Sequence, residues 1–311
     1  MGAISFFTKR LIGIAIVVLS VSIFMFILLR SIPGDPARLL AGFDAPPEVV
    51  QQIRERYGLN DPLPLQLAKY LENLLTFNLG TSVRTDTPVL NEVMSRLPYT
   101  LYLSLASLAI AIAVGIPLGA YAALKKDSIM DYVATGLTSI GTAMPTFWLG
   151  LMLILFFAVQ LKCLPAGGAE SASSIILPAL TLSLPVMAPI TKTTRFTFLE
   201  VLREDFVKLA KAKGLRKKTV IFKHVLRNAM IPVLTVVGLQ MGNLMRGAVI
   251  TETVFAWPGV GRLVVDSIFA RDYPMVQGAI FILALIYAFI NLAVDSLYAA
   301  VDPRIRLGGG A

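Results

Sequence analysis

The sequence predicts an all-α integral membrane protein built on six transmembrane helices. Three observations predict it. First, 56% of the 311 residues are hydrophobic, only 15% are charged, and the mean hydropathy is +0.74. Soluble domains run near ~45–50% apolar and about 25% charged. Second, six stretches reach the roughly 20 apolar residues that a helix needs to cross the hydrocarbon core: 11–29, 97–124, 132–161, 175–194, 229–251 and 277–300. Third, Lys and Arg are spread unevenly over the segments between them. So much apolar surface needs lipid to cover it, which excludes a water-soluble enzyme. The single Cys163 and single His224 exclude a disulfide frame, a zinc cluster or a Cys/His catalytic pair within one chain. In so hydrophobic a chain the net charge of +9 fits a membrane surface and not nucleic acid.

Residues 1–30 form an N-terminal tail and the first span. The apolar run from Leu11 to Leu29 is longer than a signal-peptide core, and Ile27-Leu28-Leu29-Arg30-Ser31 has no small-x-small cleavage site, so the span is expected to be retained. An external segment, 31–96, follows. In it Gly34-Asp35-Pro36 and Asp61-Pro62 signal turns, and Pro47 to Tyr57 has amphipathic helical spacing. With no cysteine to staple it, this segment needs packing from the membrane domain or from a partner. In the core, 97–301, Gly115, Pro117 and Gly119 mark the second span, Gly141 and Pro145 the third, and Pro178, Pro185 and Pro189 interrupt the fourth. Such residues kink spans or let helices pack closely where neighbours satisfy the freed carbonyls. Residues 302–311 are a tail ending in Gly308-Gly309-Gly310-Ala311. With the N-terminus inside, inner segments carry 17 Lys and Arg and outer segments 9, which puts both termini in the cytoplasm.

The cytoplasmic loop 192–227 holds 11 of those cations. Glu200, Glu204 and Asp205 lie in its first part, and Lys208, Lys211 and Lys213 crowd the turns before Gly214. That order suits a helix macrodipole, and Gly214 sits where a left-handed cap falls. A second helical run, Lys217 to Asn228, returns to the membrane at Ile231-Pro232. The result is a helix–Gly–helix elbow with small Ala210 and Ala212 near its corner. On spacing alone two readings stand: a platform that another protein approaches closely, or a basic helix lying on anionic lipid.

The elbow resembles the EAA loop of ABC-importer permeases, whose pattern is Glu-Ala-Ala-x-x-x-Gly and, further on, Ile-x-Leu-Pro. Lys208, Leu209 and Ala210 fall on the Glu-Ala-Ala positions, Gly214 on the glycine, and His224-Val225-Leu226-Arg227 on Ile-x-Leu-Pro. Lys208 replaces the acid and Arg227 the proline. Both departures match the peptide/nickel branch, in which Ala-Lys-Gly and His-x-Leu-Arg-Asn-Ala are the familiar form. Other strings resemble that branch in order along the chain. They include Ile32-Pro33-Gly34-Asp35-Pro36, Asn78-Leu79-Gly80-Thr81-Ser82, Leu97-Pro98-Tyr99-Thr100-Leu101 and Gly115-Ile116-Pro117-Leu118-Gly119. Pro145-Thr146-Phe147-Trp148, Glu252-Thr253-Val254-Phe255-Ala256-Trp257-Pro258-Gly259 and Arg271-Asp272-Tyr273-Pro274 continue the series. The chain is similar to the first of two permease subunits of a dipeptide/oligopeptide-type importer.

The resemblance implies a type I ABC-importer fold in the bacterial inner membrane. It implies a homologous second permease subunit, two cytoplasmic ABC ATPase subunits docked on the elbows, and an external solute-binding protein. The cargo it implies is di- or oligopeptides, with glutathione or nickel chelates as alternatives. No cofactor is implied in this chain; ATP and Mg belong to the partner ATPases, and no Gly-x4-Gly-Lys-Ser/Thr phosphate loop occurs here. The coupling residues it implies are Lys208, Leu209, Ala210, Ala212, Gly214, His224 and Arg227.

On the fifth span Gln240, Asn243 and Gly247 share one face, with Arg246 beside them. They are candidates to line a polar pathway, with Arg246 available to a carboxylate. The alternative is interhelical hydrogen bonding with Arg246 snorkelling to headgroups. Glu252, Trp257, Pro258 and Gly259 fall in a turn-rich external segment and are candidates for an external gate; the alternative is an ordinary re-entrant loop. Asp295 near the cytoplasmic end of the sixth span reads as structural, and with no second intramembrane acid or histidine proton coupling is not expected. His224, beside Lys223 and Arg227, reads as elbow structure, and no metal site is expected. No His-Glu-x-x-His, paired intramembrane aspartates or Gly-x-Ser-x-Gly occurs, which excludes an intramembrane enzyme of those kinds. The remaining rival class is a membrane receptor or scaffold that does not transport.

Overall fold

The computed structural model describes residues 3–31, 35–41, 45–56 and 58–301. The Ile32-Pro33-Gly34 string, Tyr57 and the 302–311 tail lie outside them. Among the described residues the chain is helical, and its one extended pairing is a bridge between Thr81 and Pro88. The described residues divide into two compact units, one formed by Thr100–Trp257 with 290–301, the other by those of 3–99 with Pro258–Phe289.

The second of these units contains α1 (Ala3–Arg30), α2 (Pro36–Ala41), α3 (Pro47–Arg56) and α4 (Leu63–Leu75). It also holds the start of α5 (Val89–Leu124), α12 (Val260–Phe269) and the first part of α13 (Tyr273–Val301). The amphipathic run expected after Pro47 is α3. The cysteine-free segment finds its packing on the spans: Leu74 and Leu79 are buried with Val18, Val89, Met275 and Phe281. The Tyr70 ring of α4 stacks on Phe26 of α1 at 5.6 Å. Asp272 caps α13, accepting from the Met275 backbone N–H at 3.3 Å, and takes a hydrogen bond from the Ser82 hydroxyl. It thereby ties the turn after Gly80 to the start of the last span.

The first unit contains the rest of α5, then α6 (Ile129–Ala143), α7 (Thr146–Leu153), α8 (Ile176–Val201), α9 (Asp205–Ala212), α10 (Lys217–Thr219) and α11 (Leu226–Val254). Helix α8 is its axis: 67% of its apolar window is buried, against 39% or less for the other long spans. Small residues bring neighbours onto it. A Cβ on Gly119 of α5 would collide with the Thr191 carbonyl oxygen and stand 2.8 Å from the Thr194 Cβ. A Cβ on Gly247 of α11 would stand 2.7 Å from the Leu182 side chain. The glycines thus serve close helix approach, as in small-xxx-small packing.

Among the described residues five helices are long and apolar enough to cross a membrane, and a bent pair makes up to six. Their outer faces leave Ile12, Ile16, Phe24, Leu105 and Leu239 more than half exposed, as side chains facing lipid must be. The third span departs from the single helix expected over 132–161. It is a broken pair, α6 and the run Thr146–Gln160, bent by 107°. Pro145 explains the break: it lacks an N–H and pushes Met144 out of the helical region, to φ −79° and ψ 132°. The fourth span departs in the opposite sense. Pro185 and Pro189 lie inside α8 without interrupting it, and the helix continues to Val201 instead of ending at 194. The first residues of the expected cytoplasmic loop 192–227 are therefore a helical extension of that span. The second span also begins early, at Val89 and not at 97.

Candidate functional site

The elbow is built by a helix end that only glycine finishes cheaply. Gly214 has φ +73°. Its N–H donates to the Lys211 carbonyl at 3.0 Å, and the Leu215 N–H reaches the Ala210 carbonyl at 3.3 Å. That pair of bonds is a Schellman motif, which satisfies the last carbonyls of α9 and turns the chain. After Arg216, α10 and a π-helical turn, Val220–Val225, run without a gap into α11. The elbow is therefore one end of a continuous helical rod, Lys217–Val254.

One side of the elbow is fixed to its own unit. Val207 and Ala210 of α9 are buried with Val220, Val225, Phe198 of α8 and Ala123 of α5. Burying one such valine or phenylalanine contributes ~1.5–3 kcal/mol. Ala210 thus packs inward, while Lys208, Leu209, Ala212 and Gly214 are exposed. The outward apolar side chains are Phe206, Leu209, Leu215 and Phe222, the last 67% exposed. They sit among lysines. The Lys208 ammonium bonds Asp205 at 2.8 Å and holds that carboxyl below its usual range. His224 is half-buried, and its carbonyl accepts from the Asn228 amide at 2.7 Å; Arg227 is exposed.

An ion pair stands at the base of the elbow. Arg195 of α8 donates Nε and Nη2 to the two carboxylate oxygens of Asp131 in α6. The carboxylate is 3% exposed. The spacing of these two residues in the chain gave no signal for this contact.

On α11 the Asn243 amide donates to Gln240 Oε1 at 2.9 Å, and Arg246 donates to Asn243 Oδ1. The expected face is therefore a hydrogen-bonded ladder, buried at Gln240 and exposed at Asn243 and Arg246. Gly247 packs toward α8. Among the candidate gate residues, Glu252 is fully buried and accepts from the Thr100 hydroxyl at 2.6 Å. Trp257 is 3% exposed in the same unit. Pro258 and Gly259 belong to the other unit, where the Gly259 carbonyl opens α12 by accepting from the Leu263 N–H. Gly168 donates its N–H to the Phe255 carbonyl at 2.8 Å, and a Cβ on Gly167 would collide with that carbonyl oxygen. This Gly-Gly contact clamps the end of α11 and was not read from the sequence. Among the described residues no cluster of three or more His, Cys, Asp or Glu is placed to hold a metal.

Comparison with known proteins bears on this geometry. Residues 115–307 match the family described as "Binding-protein-dependent transport system inner membrane component", and residues 3–106 match its N-terminal companion family. The chain is 42% identical over 303 residues to "Glutathione transport system permease protein GsiC" of Pectobacterium atrosepticum, covering 97% of this chain and 99% of that one. It is 40% identical over 326 residues to "Dipeptide transport system permease protein DppB" of Alkalihalophilus pseudofirmus, covering 96% and 98%. The solved structure "Inward facing conformations of the MetNI methionine ABC transporter: CY5 native crystal form" superposes with a TM-score of 0.59 at 16% identity. It covers 69% of this chain and 98% of that one, a likeness of fold.

Proposed function

This chain belongs to the family of binding-protein-dependent transport system inner membrane components, the ABC importer permeases, and on that premise we propose how it takes part in import. It is a multi-pass inner-membrane permease subunit of a binding-protein-dependent importer. In our reading it pairs with a homologous second permease, two cytoplasmic ATPases dock on the elbows, and ATP with Mg is consumed there. An external binding protein delivers the solute. Both termini are cytoplasmic, as the Lys and Arg distribution favours.

The observation that carries this reading is the two-sided elbow. Its inner side is anchored by Val207, Ala210, Val220 and Val225, and its outer side offers Phe206, Leu209 and Phe222 among cations. A rigid, half-apolar knob joined to a long span moves a gate when pushed, whereas a lipid-lying helix needs no such anchoring. Rigid-body rocking of packed spans is a recognised route to alternating access.

The solute in this reading is a short peptide with a free carboxylate. Glutathione and dipeptides, the solutes in the names of the two relatives, share that chemistry. The exposed Arg246, held by Asn243, is the carboxylate contact, and Glu252 with Trp257 forms the buried support of the outer gate. The experiment reconstitutes the chain with its partner subunits and binding protein and measures ATP hydrolysis with added dipeptide or glutathione. Stimulation by a short peptide is expected. Hydrolysis indifferent to every solute-loaded binding protein contradicts transport and leaves the scaffold reading.

A further inference from the structure

Within the unit that carries α1 and α4 lies a cavity of about 700 Å³, bordered by none of the coupling or pathway residues. Its size falls in the range of about 300–1,000 Å³ typical of small-ligand sites. Arg30, on its wall, ends the apolar span Arg10–Arg30 and so stands at the level of the lipid headgroups. The guanidinium is held in place from two sides. Its Nε donates to Gln66 Oε1 at 2.8 Å, and its carbon lies 3.9 Å over the Phe26 ring. Gln66 is anchored in turn through Nε2 to the Leu59 and Asp61 carbonyls. The two terminal nitrogens of Arg30 are thus left as oriented donors. A second donor on the same wall, Gln277 Nε2, is buried and has no acceptor.

Glu55 also lines the cavity, but its carboxylate already accepts from Gln51 Nε2 at 2.7 Å. A buried donor without an acceptor carries a desolvation cost, so Arg30 and Gln277 match an acceptor-rich, anionic group. A guanidinium with both terminal nitrogens free suits a two-pronged oxyanion. The neighbouring apolar surface selects among oxyanions. Leu29 lines the cavity, and Phe24, Ile27 and Leu28 of α1 are 62%, 55% and 45% exposed in the last turns before Arg30. Acyl chains cover such a strip; a free peptide or phosphate does not.

We propose that this cavity binds the phosphate of a phospholipid headgroup, with Arg30 and Gln277 as its donors and the acyl chains lying along the outer turns of α1. The inference rests on the membrane-spanning reading of α1 and not on transport.

The test is native mass spectrometry of the full-length chain in a non-ionic detergent, titrated with phosphatidylglycerol. Wild type is expected to retain the lipid. Arg30→Gln is expected to weaken it about tenfold, Arg30→Lys to weaken it less, and Gln277→Leu to weaken it several-fold. Thermal melting of each variant separates lost binding from lost folding; if Arg30→Gln does not fold, Arg30→Lys and Gln277→Leu decide. Equal retention by wild type and the folded variants overturns the proposal. Displacement of the lipid by inorganic phosphate or by a dipeptide at matched concentration also overturns it, because the site would then belong to a free anion. Uptake plays no part in this readout, so its failure is distinct from a failure of the transport reading.

Discussion

The Arg195 guanidinium grips the Asp131 carboxylate at two points, Nε to Oδ1 and Nη2 to Oδ2, each at 2.6 Å. The pair joins the first turn of α6 to the part of α8 that leads into the elbow. The Asp127 backbone N–H adds a third hydrogen bond to the carboxylate at 3.1 Å. Buried pairs of this kind are costly to halve and cheap to replace whole. Arg195 keeps 29% of its side-chain surface open to water, so Asp131→Ala is expected to lower stability by ~1.5–3 kcal/mol through the lost charge-assisted hydrogen bonds. Melting curves of detergent-solubilised protein should show the loss, and most of it should return in the Asp131→Leu/Arg195→Met double variant.

Two glycines fail for different reasons. Gly119→Leu forces α5 off α8, where even a Cβ collides with the Thr191 carbonyl. Overpacking of that kind costs ~1–3 kcal/mol or more, and the variant should melt early or fail to assemble. Gly214→Ala meets open space, so only its φ of +73° is penalised, at roughly 1–2 kcal/mol. A melting comparison should rank Gly119→Leu well below Gly214→Ala.

The faces of α9 should separate docking from folding. Leu209 is 57% exposed and Val207 fully buried. Leu209→Asp is expected to leave melting unchanged and to reduce co-purification of the ATPase subunits at least tenfold, about 1.4 kcal/mol. Val207→Asp, which buries an unpaired charge, should yield unfolded protein. Equal melting of the two variants contradicts the assignment of faces.

Thr100 and Glu252 bridge α5 and α11 within one unit. An intramolecular hydrogen bond contributes ~0.5–1.5 kcal/mol, so Thr100→Val should destabilise by that order while Thr100→Ser stays close to wild type. A melting series over these two variants checks it.

Much of this architecture was legible in the sequence because membrane spans are written as composition, and the Gly214 cap because positive φ favours one residue type. The expectation erred at proline. Pro145 breaks its span, while Pro185 and Pro189 sit inside α8 at the centre of its unit, so the same residue acts in opposite ways according to what surrounds it. Ala210 was readable as small but not as inward-facing, since α9 has apolar residues on both sides of its axis. Pairings between distant segments left no periodic trace. Asp131 with Arg195, Thr100 with Glu252, and Gly168 with Phe255 all depend on packing that spacing does not encode.

The central claim is that the elbow passes the work of ATP hydrolysis into the spans. Its most direct measurement is the number of ATP molecules hydrolysed per solute imported by the reconstituted transporter, wild type against Gly214→Val. The account predicts continued hydrolysis with uptake lowered at least tenfold in the variant, and normal insertion. An unchanged ratio in a variant that inserts and hydrolyses ATP normally would contradict it.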